Sequence, residues 1–473
     1  MKAALVLLLS VVALGSSGCV AGPVYRRPAV TVPQQWPGEP ARGASPGEPV
    51  IDEWWKSFND PQLESLVARA LAANLDLQLA AARVEEARAN RGIARSNLAP
   101  QVNAAGSAAR NRQVLFGLPV GPLSYETSLY QGQFDMSWEA DVFGRLRSQV
   151  QGATADLAAQ ESDRRNVSIT LLGDVATNYA QLRGYQLRLT IAERNIGIQH
   201  DTLDLTRALA GAGQATDRDV AQAEAQLEST RAVIPQLKTG RDLAMHRLGV
   251  LLGSEPSSLE AELSQVSPLP VAPAAVPLGL PSELLQRRPD IGRAEARLAA
   301  ATARVGEARA DFFPRFSLTG AAGRESTQLH LLALGMGNVF SFGPSVSLPV
   351  FTAGRIRANV AVQEARVKQA ETAYRSTVLT ALEETENALV GYNNEQEHRD
   401  RLQRVTEADR TALDLARVQY RAGLADFLTV LDAERTLSEN EDQLAQSQTT
   451  VVTGLVSLHK ALGGGWPAAA SVK

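Results

Sequence analysis

In Gln133-Phe134-Asp135-Met136-Ser137-Trp138-Glu139-Ala140-Asp141 polar and apolar residues take strict turns. Successive side chains of a strand point to opposite faces, so the stretch reads as a strand with Phe134, Met136, Trp138 and Ala140 on one side. Phe340, Phe342, Val346 and Leu348 repeat the pattern, alternating with Ser341, Gly343, Ser345 and Ser347. Working outward, each strand has a partner upstream, from Gln101 to about Gln113 and from Arg315 to about Gln328. Loops around Leu118 to Ser124 and Leu334 to Asn338 join each pair into a hairpin. Strands of about 10 residues with one apolar and one polar face fit a transmembrane β-hairpin. A soluble, half-buried hairpin carries the same alternation.

The two hairpins sit in two copies of one unit. Ala94-Arg95 to Pro100 is answered by Ala308-Arg309 to Pro314 at an offset of 214, and Asp76, Ala82-Arg83, Ala87 and Gly92 fall on Asp290, Ala296-Arg297, Ala301 and Gly306. From Gly144-Arg145 the offset is 210: Gly213, Val220, Ala223-Glu224, Leu227, Leu252 and Gly253 meet Gly423, Val430, Ala433-Glu434, Leu437, Leu462 and Gly463. The difference of four residues places an insertion in the first copy between Pro100 and Gly144, where a surface loop tolerates it.

The rest reads as long helix. No proline interrupts the windows from Pro122 to Pro235 and from Pro349 to Pro467, which are rich in good helix formers. Val430, Leu437, Leu444, Val451 and Leu458 recur every seven residues, with Leu455 and Leu462 as a second row. The first copy repeats the row as Val220, Leu227, Ile234, Arg241 and Leu248. That is coiled-coil spacing. A helix from Arg355 to about Ala422 would reach roughly 100 Å. Gly213 and Gly423 stand where each helical hairpin must turn and supply the positive φ that ends a helix.

Composition narrows the function. The 473 residues hold 47 Lys and Arg against 51 Asp and Glu, a net charge of -4, with 44% hydrophobic residues. A folded protein is implied, and no nucleic-acid partner. The one cysteine excludes a disulfide framework or a thiolate metal site. His200, His246, His330, His398 and His459 are scattered without metal-ligand spacing and read as satisfied surface residues. Gly463-Gly464-Gly465 lacks a P-loop lysine, and no nucleophile elbow occurs. No enzyme, metal or cofactor is expected.

Lys2 and the apolar run Ala3 to Leu14 suit a secretory signal, too short to span a bilayer. The run closes on Gly15-Ser16-Ser17-Gly18-Cys19, which resembles a lipobox, with Cys19 becoming a lipidated first residue. Ser16 departs from the usual leucine, and Val20 replaces the aspartate that would retain a lipoprotein in the inner membrane. Seven prolines between Ala21 and Val50 make an extended strap. The expected layout is a signal peptide at 1–18 and a lipid-anchored strap at 19–60. A first repeat follows at 61–253 with its hairpin at about 101–142, then a linker at 254–281. A second repeat occupies 282–463 with its hairpin at about 315–350, and a tail 464–473.

Lipid-facing strands must close, because hydrocarbon leaves no partner for bare backbone groups. Four strands per chain cannot do so. Two chains give eight strands and a filled interior, whereas three give twelve and begin to leave a lumen.

The chain resembles the TolC-type outer membrane factors, in the lipoprotein (NodT-like) branch that serves multidrug efflux. The matching motifs are Gly18-Cys19 with Gly22-Pro23, Tyr25 and Pro28; Trp54-Trp55 with Phe58, Asp60-Pro61 and Leu63; Arg288-Pro289-Asp290-Ile291 with Ala294-Glu295; Phe313-Pro314; Leu348-Pro349-Val350-Phe351 with Gly354; and Gly423 with Leu428 and Val430-Leu431-Asp432-Ala433. The resemblance implies a mixed α and β membrane protein, a homotrimer with a twelve-stranded outer membrane barrel and a coiled-coil tunnel of twelve helices in the periplasm. It implies a periplasmic adaptor and an inner-membrane, proton-driven transporter as partners, and passive export of drugs or other small amphiphiles. The alternatives are a duct for a type I protein secretion system and a coiled-coil scaffold without a pore.

By the same resemblance Leu428 and Asp432, one helical turn apart, pinch the closed tunnel. The first copy has Arg218 and Gln222 there, so only the second copy lines the constriction. Asp219 and Tyr420 match two members of a tip latch, with Ala425 where its arginine would be. The turns at Gly213 and Gly423 would meet the adaptor.

Overall fold

The computed structural model describes residues 21–36, 44–45, 52–115, 123–273, 276–277, 280–333 and 337–465. The signal segment, Cys19 and the tail from 466 lie outside the described residues, as does most of the first hairpin loop. Seven long or medium helices and one four-stranded sheet make up nearly all of the rest. They are α1 (Pro61–Ala73), α2 (Leu75–Ser96), α3 (Arg145–Gly211), α4 (Asp217–Leu251), α5 (Pro289–Ala310), α6 (Arg355–Arg421) and α7 (Phe427–Ala461). The strands are β1 (Gln101–Leu115), β2 (Leu123–Ala140), β3 (Arg315–Ser326) and β4 (Asn338–Ser347).

The duplication is written in the elements. Helices α3 and α6 both have 67 residues, α4 and α7 both 35, and α2 and α5 both 22. Glycines at matching places take the left-handed conformation: Gly144 and Gly354 before the long helices, Gly213 and Gly423 after them, Gly253 and Gly463 after α4 and α7. At Gly423 the Leu424 amide donates to the Gln419 carbonyl (2.9 Å) and the Gly423 amide to Tyr420 (3.0 Å). Gln214 and Gly213 repeat this on Leu209 and Ala210. This is the Schellman ending, and it needs a residue without a Cβ.

Two boundaries differ from the sequence reading. β2 already begins at Leu123, inside the expected loop, and β3 ends at Ser326 before a short helix, Leu329–Ala333, that periodicity did not show. Pro235 lies within α4, as the seven-residue row running through Ile234 and Arg241 requires. It removes one helical hydrogen bond, and the helix continues because the apolar row on either side of it stays packed.

The chain divides into two compact units. One holds residues 83–161 and 293–375 with the segment 21–29, and so contains the sheet. In it Asp141 accepts from the Leu146 and Arg147 amides (3.0 and 2.8 Å) to start α3. The strap is pinned by Arg27 and Tyr25 on the Glu295 carboxylate (2.7 and 3.3 Å) and by a backbone approach of Gly22 to Gly306 that admits no side chain.

The other unit comprises residues 30–82, 162–292 and 376–473. Its core gathers Trp54, Trp55 and Phe58 with Leu66 and Val67 of α1, Leu172 and Val175 of α3, Leu248 of α4 and Leu455 of α7. Asp60 caps α1 through the Gln62 and Leu63 amides and takes the Tyr179 hydroxyl at 2.8 Å on its other oxygen. Arg288, buried, holds Asp290 through two nitrogens (3.1 and 2.6 Å), Glu384 (2.7 Å) and the Ala461 carbonyl (3.0 Å). The motifs around Trp54 and Arg288 are thus the fastening of this unit.

Candidate functional site

Two places carry the functional reading, the faces of the sheet and the helical turns. The sheet runs β1-β2-β3-β4, antiparallel throughout. Residues directly opposite each other share a face, so the register sorts the side chains across all four strands. One row is Val102, Met136, Gly320 and Phe342, and the next is Ala104, Phe134, Ala322 and Phe340. The opposite face carries Asn103, Asp135, Ala321 and Ser341 in one row and Glu139, Ser317 and Ser345 in another. Both strands singled out by alternation therefore turn their aromatic residues to the same side. That side is bare within the chain: Phe134 is 64% exposed and Phe340 87%. The polar side is laced by Gln133 donating to Asp135 (2.8 Å) and by the Ser317 and Ser345 hydroxyls (2.8 Å). β1 and β4 each leave an edge unpaired within the sheet.

At the helical turns, Leu428 is 55% exposed and Asp432 is exposed too, one turn further along α7. Asp432 is not a lone carboxylate. Arg435 reaches it at 2.9 Å, and the same guanidinium also meets Glu439 at 3.1 Å. Asp219 and Tyr420 are not joined by a hydrogen bond. Asp219 accepts from the Thr216 amide (2.9 Å) and hydroxyl (2.8 Å), closing a capping box at the start of α4. These bonds hold its carboxyl below the usual range. Among the described residues the buried Tyr420 hydroxyl has no hydrogen-bond partner, and its ring packs on Phe427 at 5.8 Å. Burial first, and the Asp219 charge second, push the phenol up. The box Thr216-x-x-Asp219 was open to view in the sequence, and it is the local competitor that takes Asp219 away from the latch.

Sequence reasoning missed a set of buried acids on α7. Glu441, 2% exposed, is held by Arg194 of α3 and by Arg410 of α6 (3.1 and 2.8 Å), with the Asn195 amide at 3.4 Å. Glu434, 4% exposed, takes Thr202 (2.7 Å) and Arg417 (2.8 Å). Arg188 adds a two-nitrogen pair to Asp442 (2.7 and 3.0 Å). Glu434 and Glu441 continue, at seven-residue steps, the row of Leu455 and Leu462. An acid on a core row was the available signal.

His459 corrects another expectation. It is buried and stacked on Trp54 at 5.1 Å, and among the described residues its Nε2 has no hydrogen-bond partner. Among the described residues no His, Cys, Asp or Glu cluster has the form of a metal site, and no helix is long and apolar enough to cross a membrane.

Comparison with known proteins agrees with this architecture. The chain is 34% identical over 466 residues to the toluene efflux pump outer membrane protein TtgC of Pseudomonas putida, covering 97% of this chain and 95% of that protein. It is 35% identical over 457 residues to the outer membrane protein OprJ of Pseudomonas aeruginosa, covering 96% and 95%. The solved structure of the outer-membrane channel OprN superposes with a TM-score of 0.88 at 38% identity, over 95% of this chain and all of that one. Residues 66–254 and 280–464 match the outer membrane efflux protein family, one stretch for each structural repeat, and the chain belongs to that family.

Proposed function

We propose that three copies of this outer membrane efflux protein close their sheets into one twelve-stranded barrel, and that α3, α4, α6 and α7 of each copy form a twelve-helix periplasmic tunnel. The open sheet with one apolar and one polar face is the observation that carries this reading. Its edge strands run in opposite directions, so β4 of one copy meets β1 of the next as an antiparallel pair and closure leaves no edge. Two copies would fill the interior with side chains, and three open a lumen lined by the polar face.

The assembly is a passive duct and performs no chemistry. A lipid on Cys19 anchors it, a periplasmic adaptor docks at the turns around Gly213 and Gly423, and an inner-membrane transporter supplies the work. Rings of Leu428 and Asp432 narrow the tunnel. Small amphiphilic compounds are the cargo, in keeping with relatives named for toluene and antibiotic efflux.

Purified protein in a planar bilayer should give stepwise conductance and run as a trimer. Met136→Arg or Phe342→Arg should cost about 2–4 kcal/mol near the bilayer midplane, whereas Ser345→Arg, facing the lumen, should be tolerated. Absence of conductance, or equal outer membrane yields of all three variants, overturns the reading.

A further inference from the structure

The apolar face of the sheet does not stay apolar to its end. Its four rows from Ala140 to Phe134 on β2 contain no charged residue. Beyond them, on the same face, come Arg324 opposite Gly132, Arg110 opposite Ser128 and Arg112 opposite Glu126. Three arginines stand there against one glutamate, Glu126, which pairs with Arg110 at 2.6 Å while Arg110 remains 73% exposed. Among the described residues Arg112 meets the Ser124 hydroxyl at 3.2 Å, and Arg324 the Leu332 carbonyl at 3.4 Å.

Their height is telling. From Ala140 to Ser128 is twelve residues along β2. At about 3.4 Å per residue and a tilt of about 40° this is roughly 30 Å along a barrel axis, close to the thickness of a hydrocarbon core at about 30 Å. The strand ends at Gln101, Ala140, Arg315 and Ser347 lead into helices, so on the reading above Arg110 and Arg112 lie at the outer surface of the membrane, while Arg324, opposite Gly132, is rooted roughly 10 Å lower and is long enough to snorkel toward that surface. The helix Leu329–Ala333 lies beside them, with Leu332 over Gly132 and Leu329 63% exposed. Apolar side chains next to guanidinium groups form an interfacial surface.

We propose that Arg110, Arg112 and Arg324 form an anion-binding rim on the lipid-facing side of the barrel, occupied by the phosphates of the phosphorylated glycolipid of the outer leaflet. Guanidinium groups match phosphate in geometry and charge. A lipid phosphate is delivered at this height by acyl chains that cover the apolar rows below it, so one amphiphile satisfies both parts of the surface. The inference rests on the barrel reading and adds what the barrel binds.

The test uses the full lipidated trimer in detergent and diphosphorylated lipid A as the probe. Lipid A should raise the temperature at which the trimer dissociates. The variant Arg110→Gln/Arg112→Gln/Arg324→Gln should require about tenfold more lipid A for the same shift, as loss of charge-assisted contacts predicts, while its conductance in a planar bilayer stays that of the parent. Dephosphorylated lipid A should give no shift with either protein. An unchanged response of the triple variant overturns the rim, as does an equal response to dephosphorylated lipid A or to inorganic phosphate alone. A parent protein that does not conduct overturns the barrel reading instead, so the two failures are distinguishable.

Discussion

His459 shows how a single side chain acquires a property that its neighbours in sequence do not foretell. Trp54 covers its ring and no group among the described residues meets Nε2, so burial draws its pKa down to about 4 from 6.5. The unfolded chain therefore binds a proton from about pH 6.5 downward, while the folded chain resists until about pH 4. Protons favour the unfolded state across that window, and stability, constant above it, falls as pH drops through it. The loss by pH 5 is on the order of 2 kcal/mol. His459→Phe keeps the stack on Trp54 and removes the titration, so its melting temperature should change less between pH 7.5 and pH 5 than that of the parent. Identical slopes for the two proteins would sink the assignment. Spacing between histidines, which is all the sequence offers, carries no information about a partner some 400 residues away. Gly213 and Gly423 are the opposite case: a glycine ending a long helical pattern has a local cause, and both take positive φ as the pattern requires.

At the scale of elements, α7 is fastened by charge as much as by its apolar row, and the fastening is lopsided. The Glu441 carboxylate is 3% exposed, but Arg194 and Arg410 are 48% and 51% exposed. Removing both arginines with Arg194→Ala/Arg410→Ala strands a buried charge with only Asn195 near it, which should cost about 3–5 kcal/mol. Glu441→Leu instead releases two guanidinium groups that already touch water, and should cost less than about 1 kcal/mol. Denaturant midpoints of the two variants measure the difference, and equal losses would refute the burial argument. Strands and long helices were legible because each follows from a periodicity in its own residues, 2 for β2 and β4, 7 for α7. The ionic rungs were not, since an acid on a heptad row is read as exposed until helices from two other parts of the chain supply its partners. The same holds for Asp219, whose capping bond to Thr216 outcompetes the more distant Tyr420.

For the whole molecule the duplication matters most where the copies diverge. The first copy has Arg218, Gln222 and Arg231 where the second has Leu428, Asp432 and Glu441. Both copies keep one ion pair at an equivalent place, Arg207 with Glu224 at 3.7 Å and Arg417 with Glu434 at 2.8 Å, and the second is the buried one. The second copy thus carries both the buried ion pair of its helical hairpin and the acid at the expected constriction. Three copies of Asp432 around an axis would attract cations, and the strength of that attraction depends on Arg435, which already pairs with Asp432 within each chain. Surface pairs of this kind are weak, so Arg435 moderates the field without closing it off. Asp432→Ala should lower cation preference and block by divalent cations in bilayer recordings, and Arg435→Ala should raise both. Tyr420→Phe removes a hydroxyl that has no hydrogen-bond partner among the described residues and should leave conductance close to that of the parent. If Asp432→Ala and Arg435→Ala shift selectivity in the same direction, or neither shifts it, the constriction is not at Asp432, and the charge that tunes the tunnel must be sought on another face of α7.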